Sequence, residues 1–461
     1  MQTPESARPV SEMPVAPSLP LIGSLPWMAR DAIGFLERVT RENGPIVRIP
    51  FGTGGMVLLA HPDDVKHVLL DANRNYIRGN SIDMIRPMLG NGLPMSDPPF
   101  WLRQRRIMQP SFSRQRVGTM VDTMNRVATR HLDRLRHGEN LRAHDLMLYI
   151  ARDAIVETMF SDQLGSDLAA LDDALLEIEK YVVNHMLLPV RIPLWLPLPD
   201  NRRFQRAIAT LERVVYGLIE KREGGGERPG DLLDALMDGR DPESGEKMSR
   251  GELRDEVMNI FFAGHETTAN ALTWATHTLS AHPEVEQRVR DEVDRVLEGR
   301  APRMEEVALL EYTSAAVRET LRLYPPAWMF VRLAADDDVI RGYRIPKGTA
   351  VMLSPYVMHR QRAYWPDPER FDPERFIRDP SLGMGAGKNW AYMPFGGGPH
   401  VCIGNHFAMT EAVVVVALLA QRGSLRVLHP NRVRPRPAAT LKVADDLPVR
   451  FIARGRSSTA D

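Results

Sequence analysis

The sequence predicts one large, mainly α-helical domain with a smaller β region. Long stretches carry helical periodicity, strand pattern is concentrated in one clear run, and no linker-like segment divides the 461 residues. A chain of this length would ordinarily hold two or more domains, so the missing linker decides for one. Residues 256–281 are dominated by helix formers and apolar side chains and read as a long helix. Residues 284–297 show the charged and apolar spacing of an amphipathic helix. Residues 410–421 are apolar nearly all round, which predicts a buried one. Strands are predicted in residues 338–352, where β-branched residues flank a Pro346-Lys347-Gly348 turn. The richest breaker segment, residues 223–230 with Gly224, Gly225 and Gly226, reads as a surface loop between helices. No internal repeat suggests a solenoid. The ends set the boundaries: a proline-rich flexible segment over residues 1–17, the domain over 18–454, and a small, polar, flexible tail over 455–461.

Charge and hydropathy exclude several function classes. Basic and acidic residues balance at 59 each, whereas affinity for a phosphate backbone needs a basic surplus, so no nucleic acid is expected as partner. No apolar run approaches the length of a transmembrane helix and no basic-then-apolar leader opens the chain, so no membrane anchor is expected. With a near absence of cysteine, a cytoplasmic, monomeric enzyme is the expectation.

Cys402 is the only cysteine. It can make no internal disulfide and no four-thiolate metal site. A lone thiol is usually a small buried hydrophobe, but this one lies in Phe395-Gly396-Gly397-Gly398-Pro399-His400-Val401-Cys402-Ile403-Gly404. The glycines let the backbone bend tightly and let something flat and bulky approach, as a haem would. Loop amides can point at the sulfur and favour its thiolate.

Four further sites stand out. In Ala263-Gly264-His265-Glu266-Thr267-Thr268, Ala263 and Thr267 share a helix face, and Gly264 leaves a gap beside them. A threonine there tends to bond back to the carbonyl four residues earlier and bend the helix. Glu319 and Arg322 lie one turn apart, ahead of the helix-stopping Pro325-Pro326. On residues alone they are a surface ion pair worth about 0.3–0.5 kcal/mol. Trp101 and Arg105 share another helix face, and Arg332 ends the apolar stretch Ala327-Trp328-Met329-Phe330-Val331. For Arg103 and Arg106 a solvated basic face is the expectation.

In type, spacing and order these motifs resemble the cytochrome P-450 family of haem-thiolate monooxygenases, soluble bacterial type, over residues 18–449. The resemblance implies that family's fold, with haem b (iron protoporphyrin IX) between the long oxygen-binding helix and the helix after the cysteine loop. It implies Cys402 as axial iron ligand, Phe395 shielding the sulfur, and Gly398 and Gly404 permitting the loop and the next helix. Ala263 and Gly264 would line the dioxygen site, with Thr267 bonding the oxygen and Glu266 relaying protons. Trp101, Arg105, Arg332 and His400 would meet the haem propionates; many members carry arginine where His400 stands. Glu319, Arg322 and an arginine of the later meander would form a buried structural network behind the haem loop. That arginine is Arg375, chosen over Arg370 in a near-duplicate motif for its spacing to Cys402 and its flanking phenylalanines.

By position, Met84, Ile85, Met186, Leu187, Ile260, Phe261, Phe262, Trp328, Met329, Phe330 and Val331 are the substrate-pocket candidates. Their apolar character suits a terpenoid, steroid, fatty acid or polyketide, with terpenoid-like polycyclic lipids preferred. The implied reaction inserts one oxygen atom of O2 into a C–H bond, with epoxidation or repeated oxidation as variants. About sixty residues follow Cys402, too few for a reductase domain, so electrons are expected from NAD(P)H through a ferredoxin reductase and a ferredoxin. The ferredoxin would dock at the cluster Arg103, Arg105, Arg106, Arg114 and Arg116. A haem-thiolate isomerase or dehydratase would not need the Glu266-Thr267 pair, and a haem sensor would carry a signalling domain.

Overall fold

The computed structural model describes residues 6–52, 54–79, 83–161, 167–185, 192–225, 227–382 and 390–455. Its longer helices are α1 (Leu25–Asn43), α2 (Phe100–Met108), α3 (Val121–Leu132), α4 (Ala143–Phe160), α5 (Asp167–His185), α6 (Pro199–Glu223), α7 (Arg250–Ala281), α8 (Pro283–Leu297), α9 (Glu311–Leu323) and α10 (Asn405–Arg422). The long helix α7 runs through the middle, packed on α4, α6, α9 and α10.

Sequence explains how α7 starts. Ser249 caps it, its Oγ accepting from Glu252 N at 3.3 Å while Glu252 Oε2 accepts from Ser249 N at 2.7 Å, a reciprocal capping box. Most of its residues from Leu253 to Thr278 are buried, so its stability comes from packing on all sides rather than from one apolar stripe. Helix α10 is likewise buried from Phe407 to Ala420 almost without a break, as residues 410–421 predict. Helix α8 starts at Pro283 and ends where Glu298 turns left-handed.

Five strands form the main sheet: β1 (Ile46–Phe51), β2 (Gly54–Leu59), β3 (Tyr76–Ile77), β5 (Phe330–Ala334) and β8 (Ala350–Leu353), in the order β1-β2-β8-β5-β3. In it β2 and β8 pair in parallel, and the other neighbours pair antiparallel. Strands β4 (Asn140–Arg142), β9 (Gly423–Val427) and β12 (Pro448–Ala453) form a second sheet, and β10 (Pro435–Pro437) pairs with β11 (Leu441–Val443). The strand pattern at 338–352 divides. Strands β6 (Asp338–Ile340) and β7 (Tyr343–Ile345) make a separate hairpin, while β8 joins the main sheet after the turn in which Gly348 has φ +82. The breaker segment at 223–230 separates α6 from the short helix Leu232–Asp238.

The amino-terminal segment corrects the expected boundary. Arg8 bonds across to the β6–β7 hairpin (Arg8 N to Gly342 O 2.9 Å, Arg344 N to Arg8 O 2.8 Å), and Pro14 and Ala16 bracket Arg48 of β1. Met13 and Ala16 are buried. Residues 8–17 are therefore tied to the strands rather than free, because their prolines sit where β1 and the hairpin supply the bonding partners. Residues 1–5 and 456–461 lie outside the described residues. No helix among the described residues is long and apolar enough to cross a membrane.

Candidate functional site

A cavity of about 340 Å³ lies between α7 and the cysteine loop. Ile260, Ala263, Gly264, Thr267 and Thr268 of α7 form one wall, with Phe330 beside them; Phe395, Cys402, Ile403 and Gly404 form the opposite wall. The structure brings these residues, from two distant parts of the sequence, to one cavity. Gly264 does more than leave a gap, since a Cβ there would lie 3.2 Å from Ile155 Cδ1, so it also sets how closely α7 packs on α4. Thr267 Oγ1 donates to the Ala263 carbonyl at 2.6 Å.

The loop is clamped from several directions. Cys402 N donates to Phe395 O at 2.9 Å, which folds the loop around the sulfur. Gly398 has φ +64, and a Cβ on it would lie 1.9 Å from the Leu69 carbonyl oxygen. Only glycine fits there, because of the backbone of the turn His67–Asp71 rather than because of the cavity. A Cβ on Gly397 would meet Trp390 at 2.5 Å. Burial pushes the Cys402 thiol up, against the Gly404 amide and Arg105, which pull it down. Among the described residues no group of three or more His, Cys, Asp or Glu side chains could hold a metal ion, so an ion bound at Cys402 needs most of its ligands from elsewhere.

Basic groups crowd one end of the cavity. Arg78, Arg332 and His400 line it. Burial, with Arg78 adding to it and Asp97 opposing, pushes Arg332 down to about 9. Burial likewise takes Arg78 down to about 10, and burial plus the three arginines 78, 332 and 105 takes His400 down to about 3. His400 Nδ1 is buried with no hydrogen-bond partner. An anionic group seated here would relieve all three. The two carboxylates of a haem, with its flat macrocycle between α7 and the glycine-rich loop, fit this shape and charge.

Several expected residues sit differently. Trp101 and Arg105 do not line the cavity: the indole lies against His400, centroids 3.9 Å apart and planes tilted by 34°, and Arg105 Nη1 donates to Val401 O at 2.8 Å. Both buttress the loop, through its Val401 carbonyl and its His400 imidazole, and Arg105 Nε is held by Gln109 Oε1 at 2.7 Å. Arg78, which follows β3, was not anticipated. Of the pocket candidates Ile260 and Phe330 line the cavity. Met84, Ile85, Phe261 and Phe262 pack against the helical core. Trp328 donates to Ala438 O at 2.9 Å within another buried cluster, to which Met329 is packed. Val331, half-buried, pairs with Met352 in the sheet. Met186 and Leu187 lie outside the described residues.

Glu266 is buried but turned away from the cavity toward β11. Its Oε1 accepts from Thr440 Oγ1 at 2.7 Å and lies 3.1 Å from Lys442 Nζ. Burial alone would raise its pKa; Lys442 and the Thr440 hydroxyl outweigh that and hold it below the ordinary range. Lys442 also bonds Glu179 of α5, so Glu266, Lys442 and Glu179 form a charged chain from α7 to a partly exposed acid. Nothing in the helix motif signals Lys442, which comes from the far end of the sequence.

Glu319 and Arg322 are fully buried, not on the surface. Arg322 makes bonds of 2.7 and 2.8 Å to the two Glu319 oxygens and donates to the carbonyls of His359, Pro368 and Arg370. Arg375 Nε lies 3.3 Å from Glu319 Oε1, so Arg375 contributes its side chain and Arg370 its backbone. His359 connects this network to the loop: its Nδ1 pairs with Arg322 O at 3.0 Å, and its Nε2 accepts from Met393 N at 2.9 Å. Met393 O in turn accepts from Gly396 N.

The basic cluster is largely neutralised. Arg103 pairs with Glu252 at 2.7 Å, Arg106 pairs with Asp241 at 2.7 Å and Glu243 at 2.9 Å, and Arg116 donates to the carbonyls of Gly230 and Asp231. Arg103 and Arg106 are therefore not a free solvated face. Exposed Arg114 instead borders a second cleft of about 490 Å³, with Arg318 and His406 around it and Val413 and Met409 below. Met409 lines both cleft and cavity.

Comparison with known proteins gives a family model, Cytochrome P450, matching residues 13–445. The chain is similar to cyclooctat-9-en-7-ol 5-monooxygenase of Streptomyces melanosporofaciens, 36% identical with 92% of this chain and 90% of that protein covered. It is also similar to cyclooctatin synthase of the same organism, 36% identical over 96% and 95% of the two chains. Pentalenene oxygenase of Streptomyces avermitilis is 32% identical over 95% and 96%.

Proposed function

Because the chain belongs to the cytochrome P450 family, we propose that this monooxygenase oxidises a terpenoid-like polycyclic hydrocarbon skeleton. The cavity carries the reading: a lone thiol faces an apolar wall broken by one threonine pair, with basic groups gathered at one end. Relatives named for cyclooctat-9-en-7-ol and pentalenene support the substrate class.

Cys402 would hold the haem iron. Arg78, Arg332 and His400 would hold the propionates, with Trp101 and Arg105 steadying His400 and the loop from behind. The haem, once bound, supplies the activation of dioxygen and the transfer of one oxygen atom. The chain's own work is to place and protect. Ile260, Ala263 and Phe330 present an apolar surface that excludes water and orients the skeleton. Thr267 keeps a hydroxyl at the cavity wall. Glu266, behind it, is loaded from the partly exposed Glu179 through Lys442, and passes its proton inward when its carboxylate swings away from Lys442.

Electrons come from a separate donor, which is read as a ferredoxin supplied by an NAD(P)H-dependent reductase. Its acidic face meets Arg114, Arg318 and His406 rather than the internally paired Arg103 and Arg106. The enzyme is read as a cytoplasmic monomer.

The test is spectroscopic. The reduced carbonyl complex should show the red-shifted Soret band of thiolate ligation, and Cys402→His should abolish it. Polycyclic terpenes should shift the resting spectrum at lower concentration than fatty acids or steroids. A normal band in the mutant removes Cys402 from its role, and stronger response to fatty acids overturns the substrate class.

A further inference from the structure

The segment 83–95, which links the region of Arg78 to α2, is held on α7 by three side chains within about one helical turn. Asp255 Oδ2 accepts from Asn91 N at 2.7 Å, Glu256 Oε2 accepts from Leu93 N at 3.1 Å, and Asn259 Nδ2 donates to Leu89 O at 2.7 Å. The fit has no slack. A Cβ on Gly90, which has φ +60, would lie 2.0 Å from Asp255 Oδ1, and one on Gly92 would lie 2.2 Å from Asn259 Nδ2.

Two acceptors in this clasp lack a donor: Glu256 Oε1 and Asn259 Oδ1 are buried without a hydrogen-bond partner. Flipping the amide is no remedy, because Asn259 Nδ2 already donates to both Leu89 O and, at 2.6 Å, Asp255 O. Residues three apart share a helix face, and both side chains border Gly92. Orphaned buried acceptors are costly. A proton on Glu256 turns one of them into a donor for the other.

We propose that Glu256 is a positioning residue that acts as the neutral acid, its Oε1–H donating to Asn259 Oδ1, so that loss of the proton releases the 89–93 backbone from α7. The surroundings support this. Burial pushes Glu256 up to about 8, the Leu93 amide pulls it down, and Asp255 and Glu252 push it up again. The neighbouring cations are engaged elsewhere: Arg86 with Asp83 and Met95 O, Arg103 with Glu252, and Arg254 with Glu212 and Asp255. Opening lets the carboxyl ionise near its ordinary 4.5. Between about 4.5 and about 8 the closed form therefore holds one proton more than the open form, and each pH unit favours opening by up to about tenfold. Below that window and above it the equilibrium is flat.

Hydrogen exchange of the 86–95 peptide in the haem-loaded protein, corrected for intrinsic rates, tests this without turnover and so independently of the oxygenase reading. Wild type should show opening that rises by up to about tenfold per pH unit midway between 4.5 and 8 and levels off above 8. Glu256→Gln keeps both bonds without a titrating proton and should be flat. Asn259→Leu removes the acceptor and should move the plateau to lower pH. Exchange in α9 should stay unchanged throughout, certifying that each variant is folded. A flat wild-type profile, or a slope that survives in Glu256→Gln, overturns the proposal.

Discussion

Arg322 grips both carboxylate oxygens of Glu319, at 2.7 and 2.8 Å, and neither side chain reaches solvent. Removing one member of such a pair leaves a buried charge uncompensated, which costs about 3–5 kcal/mol. Glu319→Gln should therefore lower the thermal midpoint and release haem, visible as Soret loss on heating. Arg322→Lys should do nearly as much harm, because an ammonium loses the fork that also reaches His359, Pro368 and Arg370. A variant with wild-type melting would show that the network does not hold the loop.

Protonation of His359 should undo the same network. Burial pushes it down to about 3, with the nearby Arg322 and Arg360 charges adding to the effect and the Arg322 carbonyl opposing it. An imidazole whose folded pKa is lowered stabilises the fold fully above its ordinary 6.5 and loses that contribution as pH falls toward 3. Each unit in that window should remove up to about 1.4 kcal/mol. Denaturant unfolding of wild type and His359→Gln between pH 4 and 7 should show a slope shallower by about one proton in the variant. Parallel slopes would refute the assignment.

Thr267→Ala should keep NAD(P)H consumption but divert most of it to peroxide, with Thr268→Ala doing less. Lys442→Met should cut product formation by roughly tenfold or more. It leaves Glu266 buried without its cation, so burial then holds the proton on the acid and slows its release inward. Oxygen-electrode and peroxide assays separate these outcomes, and a fully coupled Lys442→Met enzyme would place proton delivery elsewhere.

Arg114→Glu and Arg318→Glu should slow reduction severalfold at low ionic strength. The difference should vanish as salt shortens the Debye length below about 10 Å. Arg106→Glu should instead lower the melting temperature, since its partner Asp241 is internal. Stopped-flow reduction at two salt concentrations tests this, and the opposite pattern would return the donor to the α2 arginines.

The fold class and the centre of the site were legible because they depend on local pattern. Long runs of helix formers and apolar residues mark α7 and α10, and ten consecutive residues mark the cysteine loop. Arg78, His359 and Lys442 were not legible, for one physical reason: each acts through a partner far away in sequence, and none belongs to a distinctive local motif. Burial was the harder quantity. Spacing on a helix does not say which face is covered, so the residues alone left Glu319 and Arg322 as a surface pair and only the family resemblance placed them inside. Arg103 and Arg106 read as solvated because their acid partners, Glu252 and Asp241, lie far downstream. Trp328 and Phe262, placed near the substrate by position alone, serve the core.

The close approach of Gly398 to the Leu69 carbonyl joins segments far apart in the sequence, and this bears on assembly order. The cysteine loop emerges late in synthesis, while the turn it rests on is made early. Closing so long a span demands that the intervening helices be condensed first. The surface that receives the prosthetic group is therefore completed last, and a nascent chain should acquire its cofactor only after the cysteine loop has docked on the turn His67–Asp71.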